Sequence, residues 1–297
     1  MALTVSVVTP SYNQGGFIER TIQSVLSQDI AGMDYVVTDG GSSDETVSIL
    51  QRYQHRLRWV SEQDSGQADA VNKGLGMTDG AVIGWLNSDD IYYPGAVLAV
   101  VDYFVEHPQI DLVFGNANHI DEHDRILEPY PTEPWDVKRL QEVCFLCQPA
   151  VFFRRRLVER HGGLDASLRY CMDYEYWLRL ANQGAAVAHL PQVLAGSRLH
   201  AATKTLGSRV QCHREINDMM RRHCGRVPER WLFNYAHTVL DDKGVPRSRP
   251  LRFALGLSVV SCYASLRWNR RLSREIMRTT SQWIWRNSVN ALKEVCS

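Results

Sequence analysis

Four short β-branched runs, each followed by a helical pattern, fill residues 3–107. That alternation leaves few architectures open. LTVSVVTP (3–10) reads as a buried strand closed by Pro10, and Phe17, Ile18, Ile22, Val25 and Leu26 then share one helical face. DYVVTD (34–39) is a second strand. The turn after it offers Ser43 or Asp44 as a hydrogen-bond acceptor for the opening N–H groups of a helix carrying Val47, Leu50 and Tyr53. RLRWVSE (56–62) precedes a helix over Gln67–Gly74. AVIGWLN (81–87) runs into Ser-Asp-Asp, with Pro94 suited to open a helix reaching about His107. Strands and helices at this spacing predict an α/β fold, a mostly parallel twisted sheet flanked by helices.

Such sheets bind ligands beyond the carboxyl ends of their strands. The polar residues gather there: Thr9–Asn13, Asp39, Glu62–Gln67 and Asn87–Asp90 follow strands one to four in turn. The second half is less regular. Pro149–Arg154 reads as a strand, Asp173–Ala181 as a helix, and AAVAHLP and VLAGSRLH as two further strands. Beyond Leu206 only helical and basic patterns remain, so the chain is divided into residues 1–205 and a helical extension, 206–297.

Charge separates the same two parts. Formal net charge is zero, yet the segment from Pro246 onward holds ten Arg or Lys against two Glu, +8, leaving −8 for the remainder. Phe253–Leu266 followed by Arg267, Arg270, Arg271, Arg274 and Arg278, with Trp268, Trp283 and Trp285 interleaved, suits a helix lying on anionic lipid. It suits equally a helix packed on protein with solvated arginines. The acidic remainder argues against nucleic acid as a partner. No run reaches the roughly 18 apolar residues of a membrane span, and Met1 leads straight into a strand. The expected location is cytoplasmic, either free or peripheral on the inner face of the plasma membrane. Seven scattered cysteines suit a reducing compartment, and Cys144-x-x-Cys147, set in an apolar stretch, reads as two core thiols before it reads as a redox or zinc pair.

No dinucleotide-binding glycine fingerprint, P-loop or serine elbow is present. WLNSDDIYYPGA (85–96) carries the most chemistry, because adjacent carboxylates at a strand end are what hard cations such as Mg²⁺ or Mn²⁺ take as ligands. Read alone, the stretch is equally a turn whose acids cap the next helix.

Six segments in order give a sharper reading: VSVVTPSYNQGGFIERTIQSVLSQ (5–28), DYVVTDGGSSDET (34–46), DSGQADAVNKGL (64–75), WLNSDD, MDYEYWLRL (172–180) and SRLHAATKT (197–205). Together they resemble the inverting glycosyltransferase family 2 of bacterial polysaccharide assembly, which has the GT-A fold. The resemblance implies a divalent metal, Mn²⁺ or Mg²⁺, and transfer from a nucleotide-sugar donor, a UDP-sugar first, to a glycan or lipid-linked hydroxyl. It makes Asp89 the metal-binding acid and His200 its partner at the metal or the diphosphate. Asn87, Ser88 and Asp90 stand around the donor. Asp173 is the general base, although Met172 stands where the family often has another acid. Asp39 matches the first acid of a family pair whose second position is Gly40, and this leaves the base open. Thr9, Tyr12, Gln67 and Lys73 complete the expected donor contacts, while Gln148 and Trp177 are expected to border the acceptor. Variable loops between residues 116 and 171 would select the acceptor. A nucleotidyltransferase and a non-catalytic nucleotide-sugar binder are the competing readings. The first lacks a glycine- and lysine-rich loop after strand one, and the second has no use for a base at Asp173.

Overall fold

The computed structural model describes residues 3–28, 30–200 and 207–296, with side chains described through residue 289. The AATKT part of the closing motif lies outside the described residues. Two compact units are formed, residues 1–203 and 204–297.

The first unit begins β1 (Val5–Ser11), α1 (Ile18–Leu26), β2 (Asp34–Asp39), α2 (Thr46–Tyr53), β3 (Arg58–Ser61), α3 (Gln67–Met77) and β4 (Val82–Trp85). It continues β5 (Ile91–Tyr92), α4 (Ala96–Glu106), β6 (Leu112–Ile120), β7 (Ile126–Pro129) and α5 (Val137–Glu142). After a 3₁₀ turn at Gln148–Ala150 come β8 (Val151–Arg154), α6 (Arg155–His161), α7 (Met172–Asn182) and β9 (Val187–Arg198). The strands form one sheet in the order β3-β2-β1-β4-β8-β6-β9-β5, with β7 beside β6. β3, β2, β1 and β4 run parallel, as the strand–helix alternation requires. β8 enters antiparallel to both β4 and β6, so the sheet is mixed beyond its first half.

The core follows the sequence periodicity. Ile18, Ile22 and Val25 of α1 are fully buried against Val5 and Val7 of β1 and their neighbours. Each such side chain contributes about 1.5–3 kcal/mol by leaving water. At Gly74 an added Cβ would lie 2.3 Å from a Val8 methyl, so α3 can approach β1 only because this residue lacks a side chain.

Two expectations need correction. Pro94 does not open a helix: it sits in a turn, and α4 starts at Ala96 after Gly95, which has φ 76°. The two strand-like runs after residue 185 are one strand, β9, whose register against β6 jumps from Leu190 to Val193. The skipped residues include Pro191, which has no N–H for the ladder and is tolerated at such a bulge. β6 itself carries Gly115, Asn116 and Asn118, poor strand formers; pairing with β8 and β9 holds it extended.

The second unit contains α8 (Arg209–Cys224), α9 (Glu229–Asp242), α10 (Pro250–Ala264) and α11 (Arg274–Cys296), with a π-helical turn at Ser265–Asn269. Ala236, Leu240 and Leu257 form its apolar centre, joined by Phe253 and Trp283. Trp268 is also interior: its indole N–H donates to Asp218 at 2.6 Å, and it is 4% exposed. No described helix is long and apolar enough to cross a membrane.

Candidate active site

The carboxyl ends of β1, β2, β3 and β4 lie at one edge of the sheet, because the four strands are parallel and in register. Residues just past β4 form the centre of the site. The backbone there is anchored by Thr21 of α1, whose hydroxyl reaches the carbonyls of Ser88 (2.9 Å) and Asp90 (2.8 Å). Ser88 and Asp90 are therefore buried, whereas the Asp89 side chain turns outward and stays 23% exposed.

His200, just beyond β9, places Nε2 at 3.0 Å from Asp89 Oδ2. The imidazole packs on Phe17, with ring centroids 4.7 Å apart. Arg198, two residues earlier, is fully buried. Its backbone N–H donates to Asp90 Oδ1 (2.8 Å), its Nε to the Asp89 carbonyl (2.7 Å) and a terminal nitrogen to the Asp121 carbonyl (2.6 Å). It also pairs with Asp124, and its guanidinium lies over the Phe17 ring, 5.1 Å from the centroid. The end of β9 thus clamps both residues of the Asp-Asp pair. Phe17, Thr21 and Arg198 do not figure among the expected site residues; the position of Arg198 within S-R-L-H was the available signal.

Burial, and after it the charge of Asp89, pushes the Asp90 carboxyl well above the ordinary carboxylate range. Of the two roles the resemblance implies for Asp90, a support behind the site or a contact to the donor sugar, its 4% exposure beneath Asp89 favours the support. Asn87 is a hub: Oδ1 accepts from Trp85 Nε1 (3.0 Å) and Gln67 Nε2 (2.8 Å), and Nδ2 donates to Gln148 Oε1 (2.7 Å) and Asp90 Oδ2 (3.2 Å). Gln67, Asn87 and Gln148 are thereby brought together from three separated segments.

Asp173 lies in the first turn of α7, one residue inside the helix rather than at its cap. Burial first, then the charge of Asp90 and more weakly that of Asp173, raises the Cys147 thiol. The Asp173 charge also acts on Cys144 and Tyr130, whose ionisations burial pushes up. Cys147 is buried and Cys144 half-buried, and burial is the first cause that pushes both thiols up.

Two other expected contacts, Thr9 and Trp177, are interior. Thr9 is fully buried, and its hydroxyl bonds the Tyr35 hydroxyl at 3.2 Å inside the sheet layer. Trp177 is 1% exposed, packed between Trp85, Phe153 and Tyr176, and is core rather than an acceptor platform. Lys73 is paired with Glu62 at 2.7 Å. Tyr12 is 62% exposed at the strand edge. Asp39 is 2% exposed and accepts from the backbone of Gly41 (3.2 Å) and Ser42 (2.9 Å) and from the hydroxyls of Ser42 and Ser61. It braces the loop after β2. At neighbouring Gly40, an added Cβ would lie 2.6 Å from an Asp64 carboxylate oxygen, so a carboxylate reaches that place from the loop after β3.

A divalent cation bound mainly by phosphate oxygens needs only one or two protein ligands. The outward Asp89 carboxylate beside the His200 nitrogen fits that requirement.

A carboxylate and an imidazole side by side at the carboxyl edge of a mixed α/β sheet form a site suited to a cation and a phosphate-bearing ligand. The model of "Glycosyl transferase family 2" matches residues 6–162, just over half the chain, and the chain belongs to that family. It is 27% identical over 214 residues to an uncharacterized glycosyltransferase of Rickettsia prowazekii, covering 68% of this chain and 65% of that one. It is 26% identical over 205 residues to Escherichia coli chondroitin synthase, covering 68% of this chain and 30% of that protein. The chain thus spans less than two thirds of these relatives. A "PGL/p-HBAD biosynthesis glycosyltransferase" of Mycobacterium bovis is matched nearly end to end, 25% identical over 284 residues, 94% of this chain and 96% of the other. Among solved structures, S. aureus TarS 1–349 in complex with UDP-GlcNAc aligns with a TM-score of 0.62 at 14% identity, over 96% of this chain and 89% of that one. The Pyrobaculum calidifontis mannosyltransferase PcManGT, in complex with GDP-Man and Mn²⁺, aligns with a TM-score of 0.58 at 18% identity, over 96% and 84%. The fold is of the GT-A type.

Proposed function

We propose that this family 2 glycosyltransferase moves a hexosyl group, with inversion, from a UDP-sugar to a hydroxyl of a glycan or lipid-linked acceptor in cell-surface polysaccharide or glycolipid assembly. The observation that carries the reading is the pairing of Asp89 with His200 at 3.0 Å on the carboxyl edge of the sheet, with Asp90 buried beneath. The UDP-GlcNAc of TarS and the GDP-Man and Mn²⁺ of PcManGT support a nucleoside-diphosphate sugar and a divalent metal.

Asp89 and His200 would hold that cation, which supplies positive charge to the departing diphosphate. Asp173 takes the proton from the acceptor hydroxyl as its oxygen attacks the anomeric carbon from the face opposite the leaving group. The C–O bond to the acceptor forms as the bond to the diphosphate breaks, and configuration inverts. The Gln67–Asn87–Gln148 network fixes the floor of the site. Arg198 keeps the Asp-Asp turn in place and touches no reacting atom.

Calorimetric titration of UDP, dTDP, GDP and CMP, with and without Mn²⁺, into the wild type and Asp89→Ala tests this. Metal-dependent binding of UDP that disappears in the variant is expected. Absence of metal-dependent binding by any of the four would overturn the reading.

A further inference from the structure

One face of α10 is built for the interior of the second unit and the opposite face is not. Ala254, Leu257, Ser261 and Ala264 are buried, with Leu257 packed on Ala236 and Leu240 of α9. On the other side Leu255, Val259, Tyr263 and Leu266 are 45%, 69%, 56% and 52% exposed. Their spacing of four, four and three residues keeps them within about 80° of one another on a helix of 3.6 residues per turn, a stripe roughly 16 Å long. Four large apolar side chains in one exposed row are not the scattered surface hydrophobics expected of any protein.

Charge identifies what meets that row. Arg252 lies three residues before Leu255, one turn back on the same side, and Arg267, Arg270, Arg271 and Arg274 follow Leu266; all five are exposed. No acidic residue occurs between Asp242 and Glu275, so the stripe has arginines at both ends and five of them stand against the single flanking Glu275. A second copy of this chain docked by the same face would oppose two arginine-bearing surfaces. A nucleic acid backbone would satisfy the arginines and leave the apolar row in water. A bilayer with anionic headgroups satisfies both: guanidinium groups reach phosphates while Leu255, Val259 and Leu266 enter the acyl boundary and the Tyr263 phenol stays at headgroup level.

We propose that the exposed face formed by Leu255, Val259 and Tyr263 of α10 and by Leu266 of the π-helical turn after it, with its flanking arginines, is a docking surface for an anionic lipid bilayer. The helix lies in the plane of the interface and does not cross it. On the reading that the acceptor is lipid-linked, this would bring the enzyme to the surface where that acceptor resides; the surface itself is argued independently of that reading.

Full-length protein is sedimented with phosphatidylcholine vesicles, with and without phosphatidylglycerol, alongside Val259→Asp/Tyr263→Asp and Arg267→Gln/Arg270→Gln/Arg271→Gln. These positions are exposed, and circular dichroism and nucleotide titration confirm that each variant is folded and keeps its donor site. The expected result is binding to phosphatidylglycerol vesicles at least about tenfold stronger than to phosphatidylcholine alone, weakened by salt and lost in both variants. Equal or absent binding to the two vesicle types would overturn the proposal. So would vesicle binding that the Val259/Tyr263 variant leaves unchanged. A wild-type dimer that this variant turns into a monomer would assign the face to a second copy instead. Loss of vesicle binding with nucleotide titration intact separates this surface from the transferase reading.

Discussion

His200 Nε2 lies 3.0 Å from Asp89 Oδ2 across a sequence separation of 111 residues. β9 delivers the histidine and β4 the carboxylate. The contact joins the middle of the first unit to its last strand, and removing either partner is expected to weaken Mn²⁺-dependent nucleotide binding. For His200→Ala the expected loss is roughly tenfold or more, the size of one charge-assisted contact of about 1.5–3 kcal/mol. Titration with and without Mn²⁺ checks it, and equal affinity of wild type and variant in Mn²⁺ would refute the pairing as a ligand pair.

Arg198 is a positioning residue. Arg198→Ala strands the Asp89 and Asp121 carbonyls and leaves Asp124 without this partner, an expected cost of about 3 kcal/mol in urea unfolding. Arg198→Lys should recover only part of it, because an ammonium cannot reproduce a planar fork reaching several acceptors. Full recovery by lysine would mean that charge alone matters there.

Asp90 predicts a pH dependence of stability. Its pKa in the folded chain is raised above 3.8, so the neutral form is the one folding favours. That contribution is complete below the unfolded value and is lost as pH rises through the folded value. Asp90→Asn has no proton to lose. It incurs a constant penalty from facing the Asn87 amide, but its stability should fall less than that of the wild type from acid to alkaline pH. Parallel curves in thermal unfolding would contradict the assignment.

Asp173→Asn should leave UDP binding intact and lower kcat by about 10²–10⁴-fold, the range for loss of a general base. A KM effect without a kcat effect would move Asp173 from the chemistry to acceptor binding.

Trp177→Ala should destabilise the fold by about 3–5 kcal/mol, as truncation of a buried aromatic does. Trp177→Phe should be milder, since the indole N–H has no hydrogen-bond partner among the described residues. Reduced acceptor affinity at unchanged stability would restore the role of a sugar platform.

Much of this was legible in the amino-acid order. Local periodicity specified β1 to β4 and the helices after them, because strand and helix patterns repeat over distances shorter than the elements themselves. The ordered motifs pointed to the family that the comparison then showed. They also singled out Asp89 and His200 as partners. β5, β6 and β7 were invisible: two residues in β5, glycine and asparagines in β6, and full exposure in β7 leave no pattern to read.

What the sequence by itself determined is which residues reach the carboxyl edge of the sheet, since a parallel strand–helix repeat sends every strand end to the same side. Which of them face the cleft was decided only by tertiary structure. Asp89 and Asp90 are adjacent carboxylates of one kind, yet Thr21 and Arg198, from distant parts of the chain, bury one and leave the other outward. Asp39 is enclosed by its own loop and Ser61, and Trp177 by aromatic neighbours on other elements. Burial depends on everything packed around a side chain, and residues distant in sequence supply most of that packing.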